Sequence, residues 1–212
     1  MDLFENIQPN KLEIDKEAYF LSGYALTNEK VLMIDLQEIL SQAPPRRIMT
    51  KMGFYTSAAM TNCGQLGWIS DSKGYRYDAL DPQTLKAWPA MPASFLKLAQ
   101  NAAYEAGFGD FKPDACLINQ YKVGASMGLH QDKNELDFTQ PIVSVSLGIP
   151  ATFQFGGLSR SDRSIKIPLT HGDIVVWGGD ARLKYHGIMP LKPNNHEVLG
   201  PYRYNFTFRK AG

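Results

Sequence analysis

The sequence predicts an α+β protein that is mainly β, a jelly-roll-like sandwich with supporting helices placed earlier in the chain. Three observations carry this. Short strand-like runs separated by turns fill the chain after Pro113. Two segments with helical spacing of apolar residues precede them. The run Arg203-Tyr204-Asn205-Phe206-Thr207-Phe208-Arg209 alternates polar and aromatic residues with period two, so each kind lines one face of a strand. A chain of 212 residues of this kind fits one domain, 1–212.

Residues 1–45 form an N-terminal extension and a helix. A short strand is expected around Ala18-Tyr19-Phe20-Leu21. Thr27 is the expected cap of a helix over Val31, Leu32, Ile34, Leu36, Ile39 and Leu40 that stops before Pro44-Pro45. Residues 46–92 change character. Met60-Thr61-Asn62-Cys63-Gly64, Gly67-Trp68, Gly74-Tyr75-Arg76-Tyr77, Trp88 and Pro89 make a long, aromatic, Gly- and Pro-punctuated stretch, read as a lid or binding loop. The competing reading packs Trp68, Tyr75 and Tyr77 into a small satellite core.

Residues 93–212 hold a second helix and the strands. The helix runs from Ala93 to Ala106, closed by Gly107, with Phe95, Leu96, Leu98, Ala99, Ala102 and Ala103 inward. The strands follow at 115–121, near His130, then at 142–147, 151–155, 165–169 and 174–177. Trp177 and Phe153 read as core.

Composition narrows the function. Hydrophobic residues at 44%, charged residues at 20% and a net charge of +1 describe an ordinary globular protein without a global basic field. Two cysteines, Cys63 and Cys116, are too few for a disulfide framework and read as buried reduced thiols. No apolar run approaches the ~18 residues that span a bilayer. Met1-Asp2-Leu3-Phe4-Glu5 lacks a positively charged leader region. The expectation is a cytoplasmic protein with no membrane partner.

The chemistry centres on Leu129-His130-Gln131-Asp132. In an extended segment His130 and Asp132 share a face. Such a pair alone is more often a surface hydrogen bond than a metal site. The chain has only four histidines, and His186 can supply a third ligand. Two histidines and a carboxylate on one octahedral face leave three positions open, as in non-haem Fe(II) oxygenases. In the expected arrangement His130 begins one strand pair and His186 ends another, so the two meet in one mouth. Along the C-terminal strand, Arg203, Asn205, Thr207 and Arg209 share one face. Arginines are rarely buried unpaired, so two on a core strand imply an anion, and a small dicarboxylate suits a guanidinium fork. His171, in a Gly-Asp turn, reads as structural, and His196 as solvated.

Together, His130-x-Asp132, His186 and the Arg203-to-Arg209 strand resemble the AlkB-type Fe(II)/2-oxoglutarate dioxygenases that repair alkylated nucleic acid. Ala59 to Gly64, Gly67-Trp68, Pro113 to Asn119, Val143 to Gly148, Phe153 to Leu158 and Val175 to Gly179 extend the resemblance over most of the chain. It implies a double-stranded β-helix, cupin-like in architecture, with His130, Asp132 and His186 as iron ligands. It further implies Arg203, aided by Tyr121, at the distal carboxylate of 2-oxoglutarate. Asn119 and Arg209 would sit at the metal-proximal end beside Asn205, with Arg209 also pairing with Asp132.

The resemblance also implies a substrate. A flipped base would stack on Trp68 in a pocket with Met60, Tyr75 and Ser144. Thr50, Ser126, Gln131, Lys133 and Arg160 would meet the nucleic-acid backbone or remain solvated. With O2 as co-substrate, an N-alkyl group such as that of 1-methyladenine or 3-methylcytosine would leave as an aldehyde, with succinate and CO2 released. The expected partner is alkylated single- or double-stranded DNA, with RNA a further candidate, acted on by a monomer. One position departs from the pattern. Asn134 stands where bacterial members carry a pocket aspartate, which leaves lesion preference open. Two other readings compete: a dioxygenase of a protein side chain or small molecule, and a non-catalytic cupin-like binding domain.

Overall fold

The structure, a computed structural model, describes residues 11–50, 52–71 and 73–212. The leader-region expectation for residues 1–5 lies outside them. The chain opens with β1 (Lys11–Asp15) and β2 (Ala18–Leu21), which pair antiparallel. β1 was not expected from sequence. It is a charged edge strand, a composition that protects an open edge without advertising a strand.

Helix α1 (Glu29–Gln42) differs at its start from the expectation. Leu26–Asn28 forms a 3-10 turn, and Asn28 takes the cap position without a side-chain hydrogen bond. Thr27 is already inside that turn and cannot cap. The stop is as expected, because a residue before proline is pushed out of the helical region, and Ala43 takes φ −135° and ψ 83°. Leu32, Met33, Leu36 and Ile39 are buried. Val31 and Ile34 are exposed, being rotated off the inner stripe.

The stretch expected as a loop contains β3 (Ala59–Gly64), β4 (Gly67–Asp71) and β5 (Gly74–Asp78). β4 and β5 form a separate hairpin, but β3 joins the large sheet beside β6 (Ala115–Lys122). Its buried Thr61 and Asn62 hide the strand from a hydropathy reading. The Asn62 amide is satisfied by the Trp68 backbone, donating to its carbonyl at 3.1 Å and accepting from its N–H at 3.0 Å. Helix α2 (Ala93–Glu105) ends at Ala106, with Gly107 following at φ +90°.

The remaining strands are β7 (Met127–His130), β8 (Ile142–Gly148), β9 (Ala151–Phe155), β10 (Ile165–Leu169), β11 (Ile174–Trp177), β12 (His186–Ile188) and β13 (Tyr202–Arg209). A seven-stranded sheet has the order β1-β2-β11-β8-β13-β6-β3, and a four-stranded sheet the order β10-β9-β12-β7. The fold is the mainly-β jelly roll with two supporting helices. One core lies between the large sheet and α1 and α2, where Phe95 stacks on Phe206 at 4.6 Å. The other lies between the sheets around Phe153, Phe155 and Trp177.

β13 keeps its period. Tyr204, Phe206 and Phe208 face the helices, while Arg203, Asn205, Thr207 and Arg209 line a cavity inside the sandwich. Among the described residues no helix is long and apolar enough to cross a membrane.

Candidate active site

His130 ends β7 and His186 begins β12, the reverse of the expected order. The two strands pair antiparallel with these residues directly opposed, which brings the rings to 4.4 Å between centroids. Gly187 permits this approach, since a Cβ there would lie 2.7 Å from the Met127 carbonyl. Asp132 follows just beyond β7. Its Oδ1 is 3.7 Å from His130 Nε2 and its Oδ2 is 3.6 Å from His186 Nε2. Trp177 and Phe153, core as expected, also wall the His186 ring at 4.8 and 6.0 Å.

Hydrogen bonding fixes the tautomers. His130 Nδ1 lies 2.9 Å from the Gly128 carbonyl, and His186 Nδ1 lies 3.0 Å from that of Lys184. Each Nδ1 must donate, which leaves each Nε2 lone pair turned toward Asp132, as metal ligation requires. Burial, followed by the neighbouring His186, pushes His130 down to about 4, so the ring is neutral and ready to ligate. Burial pushes the Asp132 carboxyl up, but Arg209 and His186 outweigh it and hold the group well below the usual carboxylate range.

A second cluster, Glu29, His171 and His196, also brings possible ligands together. Its tautomers are wrong for a metal. His171 Nδ1 accepts from the Gly148 N–H at 2.9 Å, and His196 Nδ1 from the Val198 and Leu199 N–H groups at 3.3 Å. The Nε2 atoms therefore carry the protons, and His171 Nε2 lies 3.3 Å from Glu29 Oε1. His171 is structural as expected. His196 is half-buried and stacked on it at 4.3 Å, rather than simply solvated.

The histidine–aspartate site opens into a cavity of about 530 Å³. Arg203 is buried and gives Nε to Ser146 Oγ at 2.9 Å, above the Tyr121 ring at 5.0 Å. Arg209 gives Nε and Nη2 to Asp132 Oδ2 at 3.0 and 2.6 Å. The Nη1 of each arginine is buried without a partner. Two orphaned guanidinium donors on one cavity wall fit a small dicarboxylate. Asn119 gives Nδ2 to Asn205 Oδ1 at 3.2 Å. Asn205 itself is fully engaged, with Nδ2 donating to Ser144 Oγ at 2.8 Å and to the Val145 carbonyl at 3.0 Å. It supports the floor of the site.

The lid residues reach the same cavity. Trp68 and Tyr75 stack on each other at 5.4 Å and line it with Met60 and Ser144. Thr50, Lys133, Asn134 and Arg160 also line it, and Arg160 rests over the Tyr185 ring. Gln131 is tied by Nε2 to the Leu183 carbonyl at 2.6 Å. Ser126 is not among the lining residues, and its N–H is held by Ser57 Oγ at 3.0 Å. Sequence reasoning placed Tyr77 only in the lid or a satellite core and missed Glu135 and Arg182, for which it offered no signal; all three join the site from behind.

A jelly roll carrying two histidines, one carboxylate and an open face defines a non-haem iron oxygenase. The chain belongs to the 2OG-Fe(II) oxygenase superfamily, whose family model matches residues 18–209, and within it to the AlkB family. It is 52% identical over 212 residues to the alpha-ketoglutarate-dependent dioxygenase AlkB of Escherichia coli, covering 100% of this chain and 98% of that one. The human nucleic acid dioxygenase ALKBH1 is 28% identical over 187 residues, which cover 88% of this chain and 44% of that protein. The solved structure of OsALKBH1 superposes with a TM-score of 0.82 at 25% identity, covering 95% of this chain and all of that one. The protein is an Fe(II)- and 2-oxoglutarate-dependent dioxygenase that uses O2.

Proposed function

We propose that this protein removes N-linked alkyl groups from nucleic-acid bases by oxidation, with lesions of the 1-methyladenine and 3-methylcytosine type as substrates. The observation that carries the reading is the placement of the Trp68–Tyr75 stack on the cavity that holds His130, Asp132 and His186. Aromatic faces receive an extruded base, and the AlkB similarity supplies the reaction class.

His130, Asp132 and His186 hold the iron. Arg203 and Arg209 receive the two carboxylates of 2-oxoglutarate, with Tyr121 and Asn119 beside them. Iron with 2-oxoglutarate supplies the oxidising chemistry that hydroxylates the alkyl carbon, which then leaves as formaldehyde or a related aldehyde. The residues of the chain orient the base, exclude water and keep the His130 imidazole neutral.

Segment 46–92, apart from β3 in the large sheet, is assigned as the nucleotide-recognition lid on a single-domain core. Thr50, Lys133 and Arg160 at the cavity are the proposed contacts to the strand, whether single- or double-stranded DNA or RNA. With only two cysteines, Cys63 and Cys116, the chain has too few for a disulfide framework, and a cytoplasmic setting is part of the proposal. A monomer suffices, since this one chain supplies every group named.

The test compares 2-oxoglutarate consumption with methylated and unmethylated oligonucleotides of one sequence. Stimulation by the methylated strand alone is expected. Equal rates with both, alongside stimulation by a peptide or metabolite, would favour a different substrate.

A further inference from the structure

Behind the site lies a carboxylate to which the reading above gives no role. Glu135 has a side chain only 2% exposed. Its Oε2 accepts from Arg182 Nη2 at 3.1 Å, and its Oε1 accepts from the Tyr77 hydroxyl at 2.6 Å. The same Oε1 lies 3.4 Å from Arg209 Nε, which also donates to Asp132 Oδ2 at 3.0 Å. Arg182 gives Nη1 to the Asp132 backbone carbonyl at 2.9 Å and Nε to the Gln140 carbonyl at 3.1 Å. Asp132 is thus gripped at its carbonyl by one arginine and at its carboxylate by another. Glu135 joins the two.

A buried ion pair is weak evidence of stabilisation, because desolvation opposes the attraction. The geometry here suits a different task. Arg209 Nε donates to Asp132 and also lies in ion-pair range of Glu135, so the Glu135 carboxylate draws the guanidinium off Asp132. Asp132 then keeps more of its electron density for the metal. The Tyr77 hydroxyl donates to the very oxygen that faces Arg209 and weakens that pull. Tyr77 lies on β5 opposite Trp68 in register, so a shift of the hairpin moves this hydroxyl.

We propose that Glu135 is a positioning residue that sets how tightly Arg209 holds Asp132, and that Tyr77 makes this setting respond to the β4–β5 hairpin. The proposal rests on the reading of Asp132 as an iron ligand.

The test measures Mn(II) affinity by calorimetry in the full chain with 2-oxoglutarate present, together with oligonucleotide affinity and kcat. Loss of a group behind a metal ligand weakens metal binding about 10- to 100-fold, and Glu135→Gln is expected to do so. Tyr77→Phe should leave Mn(II) binding unchanged or tighter, because it frees Oε1. It should also reduce the stimulation of 2-oxoglutarate consumption by methylated oligonucleotide, with oligonucleotide affinity unchanged. Weaker Mn(II) binding in both variants would mean that the network only maintains shape and would overturn the proposal. So would full Mn(II) affinity in Glu135→Gln, whatever its melting temperature. Failure of the unsubstituted protein to bind Mn(II) would sink the iron-ligand reading itself, and this proposal with it.

Discussion

His130 and His186 face each other across the β7–β12 pair, 4.4 Å between ring centroids, each with Nδ1 turned to a backbone carbonyl. Their Nε2 atoms and the Asp132 carboxylate share one small space. Replacing His130, Asp132 or His186 with Ala should abolish Mn(II) binding and turnover. His171→Ala should leave Mn(II) binding intact, since its Nδ1 accepts a backbone N–H and its Nε2 faces Glu29. Loss of Mn(II) binding in His171→Ala, with binding kept in His186→Ala, would move the metal to the other cluster.

The buried, unpartnered Nη1 of Arg203 sets the second expectation. Arg203→Ala should weaken 2-oxoglutarate binding by about 2–5 kcal/mol, the loss typical of breaking a desolvated charge pair. Calorimetry with Mn(II) in the iron site reads this directly. Unchanged affinity would place the anion elsewhere.

Trp68 and Tyr75 separate a lid from a satellite core. Base–aromatic stacking contributes roughly 1–3 kcal/mol per base, so Trp68→Ala should weaken binding of a methylated oligonucleotide by about that much, with the melting temperature preserved. Early melting with unchanged affinity would assign the ring to packing.

The pH dependence of stability follows from His130. Its folded value is about 4, against an unfolded value near 6.5. Between these values the unfolded chain binds the additional proton, so acid favours unfolding. The metal-free protein should lose stability as pH falls from about 6.5 toward 4, with no contribution from this group above that window. His171, lowered by burial and by His196, adds in the same direction. Denaturant titrations across this range should give a shallower pH slope for His130→Gln, though not a flat one. An unchanged slope would mean the ring is not held neutral.

Asn134 bears on lesion choice. Bases methylated on a pairing nitrogen are cationic, and the amide offers an acceptor without charge. Its Nδ2 makes only a long bond, 3.4 Å, to the Tyr75 carbonyl. Two charges ~4 Å apart interact by about 4 kcal/mol at an effective dielectric of 20, less where water screens them. Asn134→Asp should raise the rate ratio of 1-methyladenine over a neutral lesion about tenfold if ~1.4 kcal/mol survives. Equal ratios would show that position 134 does not sense base charge.

How much was legible in the sequence follows from range. The alternation along β13 was readable because a strand with a helix-packed aromatic face and two inward arginines carries its period locally. β12, three residues long, is defined only by its seat against β7 and β9. β3 is concealed by Thr61 and Asn62, polar residues satisfied or enclosed through tertiary contacts. The Tyr77–Glu135–Arg182–Arg209 network joins distant parts of the chain, and no local pattern encodes it. Thr27 was misplaced because a 3-10 turn absorbed the expected cap.

The histidine–aspartate site and the aromatic-walled cavity are together expected to dealkylate a base. Mass spectrometry of a 1-methyladenine oligonucleotide, after incubation with protein, iron, 2-oxoglutarate and O2, tests it most directly. A mass loss of one CH2 matched by one succinate and one formaldehyde is expected, absent without 2-oxoglutarate and absent in Asp132→Ala. An unchanged oligonucleotide mass while the protein binds iron and consumes 2-oxoglutarate would contradict it.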